Sequence, residues 1–255
     1  MPLARVDEVL EEIKKGRPFL LWDEGRGAGF LAQAAEKVTP QDINFMAARA
    51  RGLVCIAMTG ERLDALGIPL MASETPSPYG APFAVSVDFK RGTTTGISAW
   101  DRAATVRALL DPRTRPEDLA RPGHLFPLRT APRGLLDRAG VAEAVVDLCR
   151  LAGLQPAGLL CGVLDEEGVM APLPVLEALA GADDLRLLSL SQAVQFRLSG
   201  ERLVSQVAQA RLPTEYGEFT AIAFRSTLDR AEYVALVLGD LGAGEPPLAL
   251  LHREC

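Results

Sequence analysis

The chain has 255 residues, 48% of them hydrophobic and 24% charged, with a formal net charge of −6. That composition belongs to an ordinary globular protein of one large domain, or of one domain and a small partner. An acidic balance with scattered arginines excludes a basic nucleic-acid face, and no apolar run approaches the roughly 20 residues that span a bilayer.

Residues 5–15 carry Val6, Val9, Leu10 and Ile13 at helical spacing and predict an amphipathic helix closed by Gly16. Charge alternates with apolar residues from the start, so this is no signal peptide and the cytoplasm is the expected compartment. Residues 18–22 form a short apolar run that fits a buried strand. Residues 23–29 follow as a glycine-rich loop, without the Gly-Lys-Ser/Thr of a phosphate-cradling loop or the spacing of a dinucleotide fingerprint. Thr39 and Pro40 begin a helix as N-cap and first residue, and it stops at Gly52. Residues 53–58 read as a buried strand, 61–66 as a short helix and 83–89 as a further strand. A hydroxyl-rich turn over 92–98 leads into a helix with Ser98 as N-cap and Asp101 at its third position.

Residues 121–140 hold three prolines, three glycines, four arginines and His124, one of only two histidines. So broken a stretch predicts a long loop. Pro122 and Gly123 fix the backbone ahead of the imidazole, and the arginines suggest an anion held by forked donors, phosphate above all. The plainer alternative is a surface connection whose charges are merely solvated. Residues 141–152 read as helix, 158–164 and 185–190 as strands, and 191–198 as helix-like. Strands alternating with helices predict an α/β (α+β) fold over residues 1–206, a mixed sheet layered with helices. Its expected core includes Leu20, Leu21, Leu53, Val54, Ile56, Val85, Val87, Leu159 and Leu160. Residues 207–255 read as a second, incomplete β-rich module, with strands at 221–224, 233–238 and 248–251. Cys55, Cys149, Cys161 and Cys255 lie far apart, which predicts buried free thiols and no disulfide framework.

Several long motifs stand in the order of one family. Ala34-Ala35-Glu36-Lys37-Val38-Thr39-Pro40, Leu63-Asp64-Ala65-Leu66-Gly67-Ile68-Pro69-Leu70-Met71, Thr94-Thr95-Gly96-Ile97-Ser98-Ala99 and Arg121-Pro122-Gly123-His124-Leu125-Phe126-Pro127-Leu128-Arg129 resemble 3,4-dihydroxy-2-butanone 4-phosphate synthase. The tail, Arg211-Leu212-Pro213-Thr214-Glu215-Tyr216-Gly217-Glu218-Phe219 and His252-Arg253-Glu254-Cys255, resembles the opening of GTP cyclohydrolase II. The resemblance implies a homodimeric lyase of riboflavin biosynthesis, releasing formate from ribulose 5-phosphate with magnesium or manganese. It implies a catalytic His124 and a substrate- and phosphate-binding set of Arg138, Ala139, Gly140 and Thr95.

The same comparison predicts losses. The family's acidic loop reads Asp-Arg-Glu-Asn-Glu-Gly-Asp; here stand Glu24, Gly25, Arg26, Gly27, Ala28, Gly29 and Phe30, with Arg26 at the metal-binding glutamate. The second metal ligand belongs to an Arg-Ala-Gly-His-Thr motif, here Arg138-Ala139-Gly140-Val141-Ala142. The glutamate expected after the strand cysteine is Gly162, and the histidine of a Ser-Pro-His-Gly loop is Tyr79. Cys255 resembles the first zinc cysteine of the cyclohydrolase, but a zinc site needs at least three protein ligands. The expectation is a chain with no metal ligands. It is then a synthase of degenerate site that takes a sugar phosphate, or an inactive dimerising domain of a bifunctional protein.

Overall fold

The computed structural model describes residues 3–72, 82–242 and 247–253, and the chain divides into two compact units, 1–198 and 199–255. The first opens with helix α1 (Val6–Lys14) and the antiparallel pair β1 (Phe19–Asp23) and β2 (Ala28–Ala34). Next come α2 (Pro40–Ala50), β3 (Arg51–Thr59), α3 (Gly60–Ala65), β4 (Val87–Phe89) and α4 (Ala99–Leu110). β5 (Leu119–Thr130), α5 (Val141–Leu151), β6 (Ala157–Val163), α6 (Leu173–Ala182), β7 (Leu187–Ser189) and α7 (Leu190–Gly200) complete it.

The seven strands form one sheet in the order β4-β5-β3-β6-β2-β1-β7, with β3–β5 and β1–β7 parallel and the other pairs antiparallel. Alternation along each strand sorts side chains onto two faces. Leu20, Leu31, Ile56, Leu159 and Cys161 meet Ile43 and Met46 of α2, Val106 and Leu109 of α4, and Leu176 of α6. Phe19, Leu21, Cys55, Ala57 and Leu160 meet Val9 and Ile13 of α1, Val145 and Leu148 of α5, and Ala193 of α7. Both faces of the sheet are therefore dry. Burying one such Leu or Ile contributes about 1.5–3 kcal/mol.

Local chemistry explains most helix ends. Thr39 Oγ1 accepts from the Asp42 amide while Asp42 Oδ2 accepts from the Thr39 amide at 2.8 Å, a reciprocal cap ahead of Pro40. Ser98 Oγ caps α4 from one side only, accepting from the Asp101 amide at 3.0 Å. At the far end of α4, Arg62 donates to the carbonyls of Leu109 and Asp111 at 2.8 and 2.6 Å, which satisfies acceptors the helix leaves open.

Several expectations are corrected. Leu53 is half exposed at 51%, although its neighbours Val54 and Ile56 are buried. The reason is a bulge: β3 pairs Arg51 with Val163 and Val54 with Cys161, so three steps on one strand match two on the other. Gly52 lies in this bulge against the Gly162 carbonyl, where a Cβ would come to 2.3 Å, and Arg51 takes the left-handed φ of 68° that ends α2. Val85 is partly buried, packed against the core. The glycine-rich loop ends by Gly27, and β2 begins at Ala28, paired on both sides. Helix α6, entered through Pro172, was not expected. Of the strand read over 83–89, only Val87–Phe89 is regular; Phe83 and Ala84 form isolated bridges.

The largest correction concerns residues 121–140. Their first half belongs to a long strand, β5, in which prolines are tolerated for a specific reason. Pro127 directs its carbonyl, and hence its missing N–H, toward Ala84, on the side where pairing is limited to isolated bridges.

The second unit is a three-stranded antiparallel sheet of β8 (Val204–Thr214), β9 (Gly217–Ser226) and β10 (Glu232–Val237), in the order β10-β9-β8. The change of texture read at Val207 therefore falls inside β8. Every residue of β8 is exposed, and both cores described above belong to the first unit. Residues 248–251, expected as a strand, form none, and Leu248, Leu250 and Leu251 are fully exposed. Among the described residues, no helix is long and apolar enough to cross a membrane.

Candidate functional site

His124 stands on an excursion of β5. Adjacent residues of β4, Val87 and Asp88, face Leu125 and Ala120, so residues 121–124 bulge out of register. The bulge contains a cis Arg121–Pro122 bond and is pinned by Arg121 donating to the Leu66 carbonyl at 2.7 Å. The Gly123 amide donates to the Ser86 carbonyl at 3.1 Å. A Cβ on Gly123 would come to 2.1 Å from the Val87 backbone, so only glycine permits this approach.

The approach delivers His124 onto Asp88. The His124 amide donates to Asp88 Oδ1 at 2.9 Å, and the ring Nδ1 lies 2.7 Å from Oδ2. Asp88 is nearly buried, whereas the His124 side chain is 43% exposed. The hydroxyl-rich turn closes over the pair. Gly96, at φ +86°, sits so near that a Cβ would come to 2.0 Å from Asp88 Oδ2 and 2.7 Å from His124 Nδ1. Asp101 holds this turn by accepting from Thr94 N–H, Thr94 Oγ1 and Gly96 N–H at 3.2, 2.9 and 3.0 Å. Burial pushes the Asp101 carboxyl up, but these donors and Ser98 outweigh it and hold the carboxyl below its usual range. Thr95 is exposed in the same turn, next to Gly96. The structure thus brings His124 and Thr95 together and adds Asp88. In the sequence, Asp88 is one polar position in an apolar run, and its signal is a carboxylate that interrupts a buried strand.

Arg138, Ala139 and Gly140 lie elsewhere. Arg138 donates to the Arg129 carbonyl at 3.1 Å, five residues beyond His124 on a strand rising about 3.3 Å per residue, so roughly 16 Å of backbone intervenes. Its Nε donates to Glu143 Oε1 at 2.9 Å, its Nη2 joins the same oxygen, and the Ala131 amide donates there at 3.0 Å. Glu143 is buried at the third position of α5, whose N-cap is Gly140, so its carboxylate also meets the positive end of the helix. A Cβ on Gly140 would come to 2.3 Å from Glu143 Oε2. Arg138 is an internal tie in this chain. Within this chain, Arg138 and Gly140 therefore sit on a different stretch of the fold from His124 and Thr95.

The remaining family positions fall on the β1–β2 turn, on β2 and β6, and at the start of α5. Arg26 donates to both oxygens of Asp23, from its amide at 3.2 Å and from Nη1 at 3.0 Å. Glu24 accepts from Ser191 Oγ at 2.5 Å at the start of α7; burial pushes its carboxyl up, and the Ser191 hydroxyl is the first of several donors that bring it lower. Phe30 pairs directly with Gly162 across β2 and β6. It packs against the same apolar cluster that buries Val141 and Ala142. Among the described residues, no three His, Cys, Asp or Glu side chains converge. Tyr79 and Cys255 lie outside the described residues, and His252 is exposed.

Cys55, Cys149 and Cys161 are free and buried, and burial pushes their thiols up to about 12, about 12 and about 11, so none is a ready nucleophile.

Residues 7–196 match the family model of 3,4-dihydroxy-2-butanone 4-phosphate synthase, and residues 205–255 that of GTP cyclohydrolase II. The riboflavin biosynthesis protein RibBA of Aquifex aeolicus is 44% identical over 254 residues, 98% of this chain and 63% of that protein. The 3,4-dihydroxy-2-butanone 4-phosphate synthase of Pseudomonas aeruginosa is 42% identical over 255 residues, 99% of this chain and 70% of that one. Among solved structures, RibBX of A. baumannii, a two-domain synthase, aligns with a TM-score of 0.82 at 37% identity, over 94% of this chain and 72% of its own. A synthase solved in complex with two magnesium ions aligns at 0.72 and 33% identity, over 78% of this chain and all of its own. The chain spans only 46–63% of the length of three RibBA relatives it matches. Motifs, sheet and likeness agree over most of its length: the chain belongs to the 3,4-dihydroxy-2-butanone 4-phosphate synthase family.

Proposed function

We propose that residues 7–196 are a synthase unit of riboflavin biosynthesis in which an ion-paired arginine and apolar packing have replaced the metal half of the site. It then serves assembly in a bifunctional, cytoplasmic protein and no longer releases formate. The observation that carries this reading is the pairing of Phe30 with Gly162, with Phe30 packed against the same apolar cluster that buries Val141, where the family pattern has acids and a histidine. Magnesium demands six oxygen-type ligands and gives up water reluctantly, so it needs at least a carboxylate or two. Here Asp23 is paired with Arg26, Glu24 is engaged by Ser191, Arg26 is itself a cation, and Val141 offers no lone pair. The residues present do not fit the ion.

The family reaction requires enolisation, loss of water, a skeletal shift and expulsion of one carbon. Those steps call for a metal to hold adjacent oxygens and for several proton carriers. His124 with Asp88 supplies one carrier. His124 and Arg129, the residue whose carbonyl holds Arg138, lie toward opposite ends of this stretch of β5, which suits a homodimer in which the two ends of a site come from different protomers. A sugar phosphate would have to compete with Glu143 for Arg138, so its binding would be weak. The test is formate release from ribulose 5-phosphate with magnesium or manganese. No turnover is expected, and turnover abolished by His124→Ala would overturn the reading.

A further inference from the structure

We propose that Asp88 is the positioning residue of the His124 ring, and that the pair is a self-contained proton acceptor at Nε2. It is independent of the metal half, so it stands whether or not the reading above does. Three observations carry it. Asp88 uses one oxygen for the His124 backbone amide and the other for ring Nδ1, at 2.9 and 2.7 Å, so ring and backbone are fixed by one carboxylate. A carboxylate only accepts, so Nδ1 carries the hydrogen; in the neutral ring Nε2 is then bare. No partner for Nε2 is seen among the described residues, and the ring is 43% exposed while Asp88 is nearly buried.

The supporting elements are equally local. Gly123 allows the bulge to reach β4, and Gly96, held through Asp101, walls off Asp88 Oδ2. None of these groups belongs to the β1–β2 turn or to α5. A hydroxyl, or a C–H beside a carbonyl, presented to this face would give its proton to Nε2, and Asp88 would balance the imidazolium that forms.

Replacement of Asp88 makes a sharp test because Asp88→Asn keeps the shape and reverses the logic. The Asn oxygen is needed by the His124 amide, so its NH2 must face Nδ1. Nδ1 then accepts, and the ring hydrogen moves to Nε2. The measurement is long-range 1H–15N NMR of the full chain with labelled histidine, at a pH where the ring is neutral. Only His124 and His252 contribute. The unmodified chain should show Nδ1–H and a bare Nε2 at His124, and Asp88→Asn should invert the pattern. Diethyl pyrocarbonate, which acylates bare ring nitrogens, should modify His124 severalfold more slowly in the variant, with the exposed His252 unchanged as internal control. An Nε2–H ring in the unmodified chain overturns the proposal without any variant. So does an unchanged His124 pattern in a folded Asp88→Asn chain.

Discussion

Replacing Glu143 tests the internal tie at the start of α5. Its Oε1 takes three donors, the Ala131 amide and two guanidinium nitrogens of Arg138, and its side chain is about 1% exposed. Glu143→Ala leaves a cation and a backbone amide without their acceptor. Breaking a buried pair costs about 3–5 kcal/mol, and because Arg138 is 32% exposed and can turn to water, the lower end applies, about 3 kcal/mol. For a unit of this size each kcal/mol shifts the melting temperature by roughly 2–4 °C, which gives a fall of roughly 6–12 °C. Glu143→Gln keeps one acceptor and should lose about half as much. Differential scanning calorimetry reads both. A loss below about 1 kcal/mol for Glu143→Ala, the range of an exposed pair, would refute the claim that Arg138 is tied inward.

Other substitutions separate the remaining elements. Leu53→Ser, on the solvent side of the bulge, should change stability by less than about 0.5 kcal/mol, whereas Ile56→Ala three residues on should cost about 2–5 kcal/mol in urea unfolding. Gly96→Ala puts a Cβ against Asp88 at a left-handed φ; it should destabilise the fold by about 1–3 kcal/mol and broaden the His124 ring signals. Hydrogen bonding to Arg113 lowers Asp111 from 3.8 to about 2. Its stabilising contribution is therefore complete above about pH 4 and fades as pH falls toward 2, and Asp111→Asn should flatten that stretch of an acid-unfolding curve. Restoring Val141→His alone should not create a magnesium site. The family's acidic loop over residues 25–30 together with Val141→His, Ala142→Thr and Gly162→Glu should create one, since a Cβ at Gly162 meets only Met170 at 3.4 Å.

The sheet was legible wherever apolar runs were short and bounded, as at Leu20, Ile56 and Leu159, because burial on both faces removes any need for alternation. Caps at Thr39 and Ser98 were legible from residue type alone. β5 was not, because proline and glycine read as loop formers, while the structure places Pro127 on a sparsely paired side and Gly123 at a close approach to β4. Leu53 was misplaced because a bulge leaves no trace in hydrophobicity. His124 and Thr95 were legible as neighbours through motif order. The distance from His124 to Arg138 was not, since nothing in sequence spacing says that residues 125–130 run as an extended strand that carries the chain away before it turns toward Arg138.

The central claim is that the positions of the metal ligands now hold an arginine paired with Asp23 and a buried valine, and manganese binding tests it most directly. Titrating the full chain with Mn2+ and following the free-ion electron paramagnetic resonance signal should show no stoichiometric site, with signal loss no greater than that of the same chain carrying Glu24→Gln. A stoichiometric site displaced by millimolar magnesium and lost on Glu24→Gln would contradict the account, because it would require Glu24 to leave Ser191 and bind metal beside Arg26.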